Sequence, residues 1–320
     1  MGNKAPGGTA SAVRTDAARR RLDRHRSRRR TGSNRLWLLI LPAAVFYLFI
    51  VIIPGGQGFF FSLTNWDGLS QDWEFVGFSN YTLMLSNPIA VKALTNTIVY
   101  AVISTVFENI FGLLLALGLN SRIKSRNILR VAFFMPVVIL SIVVAYLWKF
   151  LFLPNRGVFV QIIEALGFDA STVNILGSPD TVVVGISAIV VWQMTGYAMI
   201  IYLAGLQGVP EDQLEAAAID GAGPWQRFWH IVRPMLAPAL TVNLILSSIR
   251  GFMIFDQIWV TTMGGPADTS HSLSTLVYRT AFTFGKLGQG ASLAVMLTVF
   301  VAVVGVFQYR SQMRMRGNLE

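Results

Sequence analysis

Long apolar runs separated by short polar segments dominate the pattern of this chain. A helix crossing the hydrocarbon layer needs about 20 mostly apolar residues, because the layer is about 30 Å thick and each residue rises about 1.5 Å. Six stretches meet that length: 36–61, 96–119, 129–152, 181–203, 235–255 and 291–309. Backbone groups in lipid must be satisfied within their own segment, so each stretch is predicted to be a helix. The first follows an Arg-rich stretch, as a secretory leader would. Its apolar run is longer than a leader's core, however, and Pro54-Gly55-Gly56 is not a small-x-small cleavage site, so it is expected to be retained.

Composition agrees with this pattern. Of 320 residues, 53% are hydrophobic and 13% charged, whereas soluble domains carry charge on about a quarter of their residues. The net charge of +10 would suggest a nucleic-acid partner if it were spread over a surface. Instead, eleven basic residues, from Lys4 to Arg35, precede the first span, and nine more lie in the second-to-third connection, the fourth-to-fifth connection and the C-terminal end. Basic residues mark cytoplasmic loops, so both termini are expected in the cytoplasm and the number of spans is even. Residues 1–34 form an expected disordered, Arg-, Gly- and Ser-rich tail. It suits anionic lipid, at about 1 kcal/mol per basic residue near the surface, better than nucleic acid, because no aromatic interleaving accompanies it. Residues 35–316 are expected to form the membrane domain and 317–320 a short C-terminal tail.

The connection 207–233 has a composition of its own. Pro210, Glu211 and Asp212 suit a helix start, with the proline at the first helical position and acids near the positive end of the dipole. The run 214–219 is helix-forming, and Gly221 with Gly223-Pro224 makes a turn into a second helical stretch. There Trp225, Phe228, Trp229 and Val232 fall on one face at helical spacing. Such a face also suits the headgroup region, with Trp side chains as anchors. Glu211, Asp212, Glu215 and Asp220 oppose an anionic surface and suit a basic protein groove better.

The stretch Glu215-Ala216-Ala217-Ala218-Ile219-Asp220-Gly221-Ala222, followed by Phe228, Ile231, Pro234 and Pro238, resembles the EAA motif of permease subunits in binding-protein-dependent ABC importers. Further segments extend the resemblance: Phe75-Val76-Gly77-Phe78-Ser79-Asn80-Tyr81, Asn96-Thr97, Met135-Pro136 and Met263-Gly264-Gly265-Pro266. They look most like the carbohydrate branch, similar to maltose and glycerol-phosphate importers. Arg233 departs from the pattern, where an apolar residue usually precedes the proline. The resemblance implies an all-α, polytopic membrane protein with six transmembrane helices and a cytoplasmic coupling-helix loop. It also implies that Glu215, Ala216, Ala217, Asp220, Gly221 and Ala222 engage a separate ATPase.

No phosphate-binding G-x-x-x-x-G-K-[ST] occurs, so ATP and Mg are expected on a partner subunit and no cofactor on this chain. There is no cysteine, and His25, His230 and His271 are too scattered to suggest a local metal cluster. No G-x-S-x-G or H-E-x-x-H accompanies them, and the chain is not expected to be an enzyme.

Polar residues inside spans point to a substrate path or to interhelical hydrogen bonds. Ser141, Gln193, Tyr197, Asn243, Ser247 and Arg250 are the candidates, and hydroxyls and amides beside an aromatic ring suit a neutral sugar. Glu108, mid-way along the second span, is expected to pair with Arg250, to line the cavity or to be protonated. The expected function is half of the membrane pathway of a sugar importer, with an oligosaccharide as the expected sugar, in a prokaryotic plasma membrane. Its expected partners are a second permease, two ATPase subunits, an extracytoplasmic solute-binding protein and membrane lipid, with no nucleic acid. The alternative is a secondary transporter or channel using Glu108 and Arg250, although its usual inverted repeats are not evident.

Overall fold

The computed structural model describes Gly2 and residues 40–121, 123–170 and 173–317. Apart from Gly2, the expected disordered tail lies outside the described residues, as do residues 35–39, with the start of the first expected span, Arg122, residues 171–172 and residues 318–320. Among the described residues the secondary structure is helical, apart from an isolated antiparallel bridge between Thr64 and Phe75. The chain divides into two units, Met1–Gly58 and Phe59–Glu320.

The apolar helix α1 (Ile40–Phe61) is exposed through residue 57; the first unit ends at its Gly58 and its last three residues belong to the second. Pro54 has no N–H to close an ordinary turn. The helix widens to a π-turn over Leu48–Ile52, where the Ile53 N–H reaches the Leu48 carbonyl.

The second unit continues with the short helix α2 (Ser79–Ser86) and the long α3 (Pro88–Leu119). Asn87 caps α3 by accepting from the Ile89 N–H at 2.9 Å, so this span starts eight residues before the expected Asn96. The helix α4 (Arg126–Val138) is followed by α5 (Ser141–Leu151), α6 (Val158–Ala165) and α7 (Val182–Gln207). After α8 (Glu211–Ile219) and α9 (Pro224–Arg227) come α10 (Ala237–Phe252), α11 (Asp256–Thr261), α12 (Leu273–Tyr278) and α13 (Leu287–Gly317).

At the centre α3 runs antiparallel to α7. Tyr100 packs with Val182 and Ile186 at one end, and Ala116 and Leu119 with Leu203 and Leu206 at the other. In lipid no hydrophobic force joins helices, and small residues that let backbones approach take its place. Gly112 faces Ala198 across α3 and α7, Gly196 of α7 faces the Phe133 carbonyl of α4, and Gly251 of α10 faces Ala101 of α3. A Cβ on Gly251 would sit 2.5 Å from the Ala101 Cα.

The third span is not the single helix expected over 129–152. It breaks between α4 and α5, which are bent by 98°. Pro136 weakens the last turn of α4, and Ile139 and Leu140 are extended, with ψ of 135° and 134°. Leu129 packs near Leu203 and Leu206, whereas Val144 and Phe152 pack with Ile189, about 21–26 Å away along α7 at 1.5 Å per residue. The two halves of the broken pair thus lie against opposite parts of α7, and counting the pair as one span gives six candidate spans.

Two of the segments noted in the sequence meet in space. Asn96 Nδ2 donates to the carbonyls of Thr269 and His271 at 2.6 and 3.0 Å, and Tyr100 Oη to that of Ser270 at 3.0 Å. Thr97 Oγ1 accepts from the Leu273 N–H at 2.8 Å. The loop carrying Gly264-Gly265-Pro266 is thus tied to the start of α3. Asn80 Nδ2 similarly binds the Ser62 and Thr64 carbonyls, at 2.9 and 2.8 Å.

Candidate functional site

Three spans bring their charged and aromatic residues together near mid-height. Glu108 on α3, Tyr197 on α7 and Arg250 on α10 stand about 16, 15 and 20 Å from the ends of their helices on the α8 side, at about 1.5 Å per residue. Arg250 Nη2 donates to Glu108 Oε2 at 2.9 Å. The Arg250 guanidinium lies over the Tyr197 ring, 4.9 Å from its centroid. Glu108 is fully buried, while 27% of the Arg250 side chain is exposed. A charge on a membrane helix faces the bundle interior or a watery path rather than lipid. Pairing, the first option weighed for Glu108, is the arrangement found.

Deeper toward α8 the polar residues bond to one another and to backbone carbonyls, leaving Asn243 Oδ1 without a partner. Asn109 Nδ2 donates to Ser247 Oγ at 3.0 Å, and Tyr202 Oη donates to Asn109 Oδ1 at 2.6 Å. Asn243 Nδ2 donates to the Ala198 carbonyl at 3.1 Å, and Ser247 Oγ to the Asn243 carbonyl at 2.7 Å. Asn243 and Ser247 are buried, so their bonds clamp α10 to α3 and α7. Asn109 and Tyr202 were not among the sequence candidates, because an isolated polar residue in an apolar run gives no sign of its partner.

Gln193 has a specific post at the broken span. Its Nε2 donates to the free Ile139 carbonyl at 3.1 Å, and its Oε1 accepts from Gln257 Nε2 at 3.0 Å. Irregular backbone at membrane depth must find such partners. Ser141 begins α5 just beyond the break and is half-buried. A groove of about 960 Å³ runs between α3, α4 and α7, lined by Phe107, Phe111, Phe133 and Trp192 among others. Its walls include none of Glu108, Tyr197 or Arg250, and they offer little that a hydroxyl can bind.

The connection between α7 and α10 projects its motif into the open. Pro210 is extended and stands just outside α8, with Glu211 the first helical residue rather than the proline. Glu211, Asp212, Glu215, Ala216 and Asp220 are exposed, and Ile219 is 86% exposed. Gly221 turns the chain at φ +83°, and the Ala222 N–H closes the helix end on the Ala217 carbonyl at 2.9 Å. The second stretch is not the regular helix its spacing suggests. Phe228–Val232 forms a π-turn that rotates the face, so Trp225, Phe228 and Trp229 pack mainly on one another. Arg233 lies 4.6 Å above the Trp229 ring, which gives this unexpected residue a partner.

The family model for the inner membrane component of binding-protein-dependent transport systems matches residues 108–317. The chain belongs to this family. As a permease of this kind, it is 35% identical over 265 residues to a trehalose/maltose transport system permease protein of Thermococcus litoralis, covering 83% of this chain and 89% of that one. It is 33% identical over 283 residues to a probable starch degradation products transport system permease of Thermoanaerobacterium thermosulfurigenes, covering 87% and 94%. An sn-glycerol-3-phosphate transport system permease of Pectobacterium atrosepticum is 31% identical over 278 residues, covering 86% and 92%. In fold, the permease matches a chain of a bacterial alginate ABC transporter solved with a pentasaccharide-bound periplasmic protein. That match has a TM-score of 0.78 at 21% identity and covers 88% of this chain and 94% of the other.

Proposed function

We propose that this chain is the permease subunit of an ABC importer for a sugar, forming half of the membrane pathway beside a second, similar permease. The observation that carries the reading is the exposed acidic helix α8 with its Gly221 turn, on a chain whose relatives are named for starch products and trehalose/maltose. Glu215 and Asp220 offer charge-assisted hydrogen bonds to a basic groove, while Ala216 and Ala217 keep the approach close. A separate ATPase, holding ATP and Mg, closes against this helix. The spans then swing between inward- and outward-open states as rigid bodies. Both termini lie in the cytoplasm, and the external loops around Trp66 and Tyr278 meet a solute-binding protein.

The path runs past the exposed side of Arg250, because that charge cannot face lipid. Ser141 and Tyr197 share the path, whereas Gln193, Asn243 and Ser247 shape it through their interhelical bonds. A self-contained, gradient-driven transporter fits less well, since Glu108 and Arg250 already neutralise each other.

Glu215→Lys tests the docking. The variant is expected to insert normally and to lose most ATP-driven uptake, with less ATPase co-eluting from mild detergent. Full uptake with a full complement of ATPase would overturn the docking assignment. Uptake by this chain alone, driven by an ion gradient, would overturn the importer reading.

A further inference from the structure

We infer that a small polar pocket at the end of the bundle opposite α8, outside the spans, binds one hydroxyl-rich sugar ring. Its place in import rests on the importer reading, whereas its chemistry stands on its own walls. The pocket measures about 210 Å³ and is lined by Asn65, Trp66, Asp67 and Asn80, ahead of α3, and by Lys286 and Gln289 at the start of α13. Because α3 runs antiparallel to α7, which leads into α8, the segment ahead of α3 lies at the far end. The start of α13 lies there too, with Leu293 packed among Met84 and Ala90. A water takes about 30 Å³ of liquid, and drug-sized ligands need about 300–1,000 Å³. This space therefore admits one sugar ring and leaves a second outside.

The walls are fixed before any ligand arrives. Asp67 Oδ1 accepts from the Leu69 and Ser70 N–H groups at 2.9 and 2.8 Å and from Ser70 Oγ at 3.0 Å. These bonds, that of Leu69 foremost, hold its carboxyl below the usual carboxylate range, so it stays charged. Asn65 Oδ1 accepts from the Glu74 N–H at 2.7 Å, and Trp66 Nε1 donates to the Ser70 carbonyl at 2.9 Å. The Gly288 N–H donates to the Trp66 carbonyl at 2.8 Å and locks α13 to the loop. Groups already in place lose little freedom on binding.

The open edge decides the ligand. Among the described residues, Asn65 Nδ2, Asp67 Oδ2, Lys286 Nζ and the Gln289 amide have no hydrogen-bond or ion-pair partner. Asn65, Asp67 and Lys286 are exposed and Gln289 is half-buried, so these side chains reach solvent. They offer donors, a charged acceptor and an amide that does both. Asp67 and Lys286 thus face one cavity without pairing. A carboxylate entering it would meet the Asp67 charge, and an ammonium the Lys286 charge. A sugar ring carries neither. Its hydroxyls accept from Lys286 and donate to Asp67, and its C–H face suits the Trp66 ring in the wall.

The test uses the full chain with its co-expressed partners in lipid nanodiscs, without ATP or binding protein. Hydrogen exchange is followed over 62–72 and 284–292 while glucose, galactose and mannose are titrated separately. At least one of the three is expected to slow exchange in both segments in a saturable manner. Lys286→Met is expected to raise the half-saturating concentration of that sugar about tenfold, the worth of one charge-assisted hydrogen bond, and Gln289→Leu to raise it less. The Lys286 side chain bonds no other part of the described structure, so its loss reads binding rather than folding. Exchange unmoved by all three sugars would overturn the pocket, even where an added binding protein slowed it, since a partner's side chain would then be the occupant. Half-saturation unchanged in both variants would overturn it as well. Co-elution of the ATPase, scored on the same preparations, keeps the two readings apart. Absence of protection with the ATPase present removes the pocket alone, whereas protection without the ATPase supports the pocket and counts against the importer reading.

Discussion

Removing one partner of a buried ion pair leaves the other charge stranded, at a cost of about 3–5 kcal/mol, whereas replacing both can be close to neutral. Arg250→Gln alone is therefore expected to lower the melting temperature in detergent more than Glu108→Gln/Arg250→Gln does. Equal losses would mean that the pair contributes nothing by its pairing. The pair could be anticipated from sequence, since one acid and one arginine fall deep in separate spans and a charge there needs company. Its aromatic cover could not, because nothing in the spacing of Tyr197 says which neighbour it will face. His271 gives a second test at this scale. It is fully buried, and burial together with the Arg279 guanidinium lowers its pKa from 6.5, against the opposing pull of Asp268. Arg279 Nη1 bonds both Asp268 Oδ1 and His271 Nε2, and His271 Nδ1 lies 3.0 Å from Thr275 Oγ1. With the folded pKa depressed, the unfolded loop takes up a proton first as pH falls, so stability is lost below 6.5 until the folded ring titrates as well. Protection factors over 262–273, which discount the intrinsic pH dependence of amide exchange, are expected to fall between pH 7.5 and about pH 5.5, and His271→Gln is expected to flatten that dependence. Unchanged protection factors across this range would contradict the assignment.

Among the elements, the broken span shows most clearly where the sequence stops being informative. Its apolar length and Pro136 are visible along the chain, and six spans follow from length alone. The corner at Ile139 and Leu140 is not visible, because neither residue breaks helices. The corner is held by Gln193, 54 residues away, and behind it by Gln257. The π-turn at Phe228–Val232 escaped for a related reason. Helical spacing assumes 3.6 residues per turn, and a local widening shifts every later side chain. Gln193→Leu is expected to strand both the Ile139 carbonyl and the Gln257 amide. The expected loss is about 1 kcal/mol or more, since unsatisfied buried groups cost about 1–3 kcal/mol and membrane interhelical bonds average about 0.6. Thermal unfolding of the purified variant measures it, and a Gln193→Leu protein as stable as the wild type would show that the corner needs no such support.

Over the whole molecule, the charge separates into two populations with different work. Of the net +10, the eleven basic residues up to Arg35, set against Asp16 and Asp23, account for nearly all, and the membrane body is close to neutral. Some of the body's charges fall at places where the fold does something specific: the mid-height pair, the knot of Asp268, His271 and Arg279, and the acidic helix α8. The Glu215→Lys experiment belongs to this scale, because it asks whether a change on one exposed helix is felt through the entire bundle. The likeness in fold to the alginate transporter chain extends over 88% of this one, so most of the helical arrangement is common to both.

The glycine contacts among α3, α4, α7 and α10 have a thermal consequence. A water-soluble core is cemented by a force that fades on cooling. These helices meet by backbone proximity at Gly112, Gly196 and Gly251, supported by the Asn109, Ser247 and Tyr202 hydrogen bonds, in a solvent of hydrocarbon. Cold therefore leaves the grip of the bundle intact while it stiffens the lipid around it. A loss of transport at low temperature would accordingly lie in the surroundings and the moving parts, not in the block that is moved.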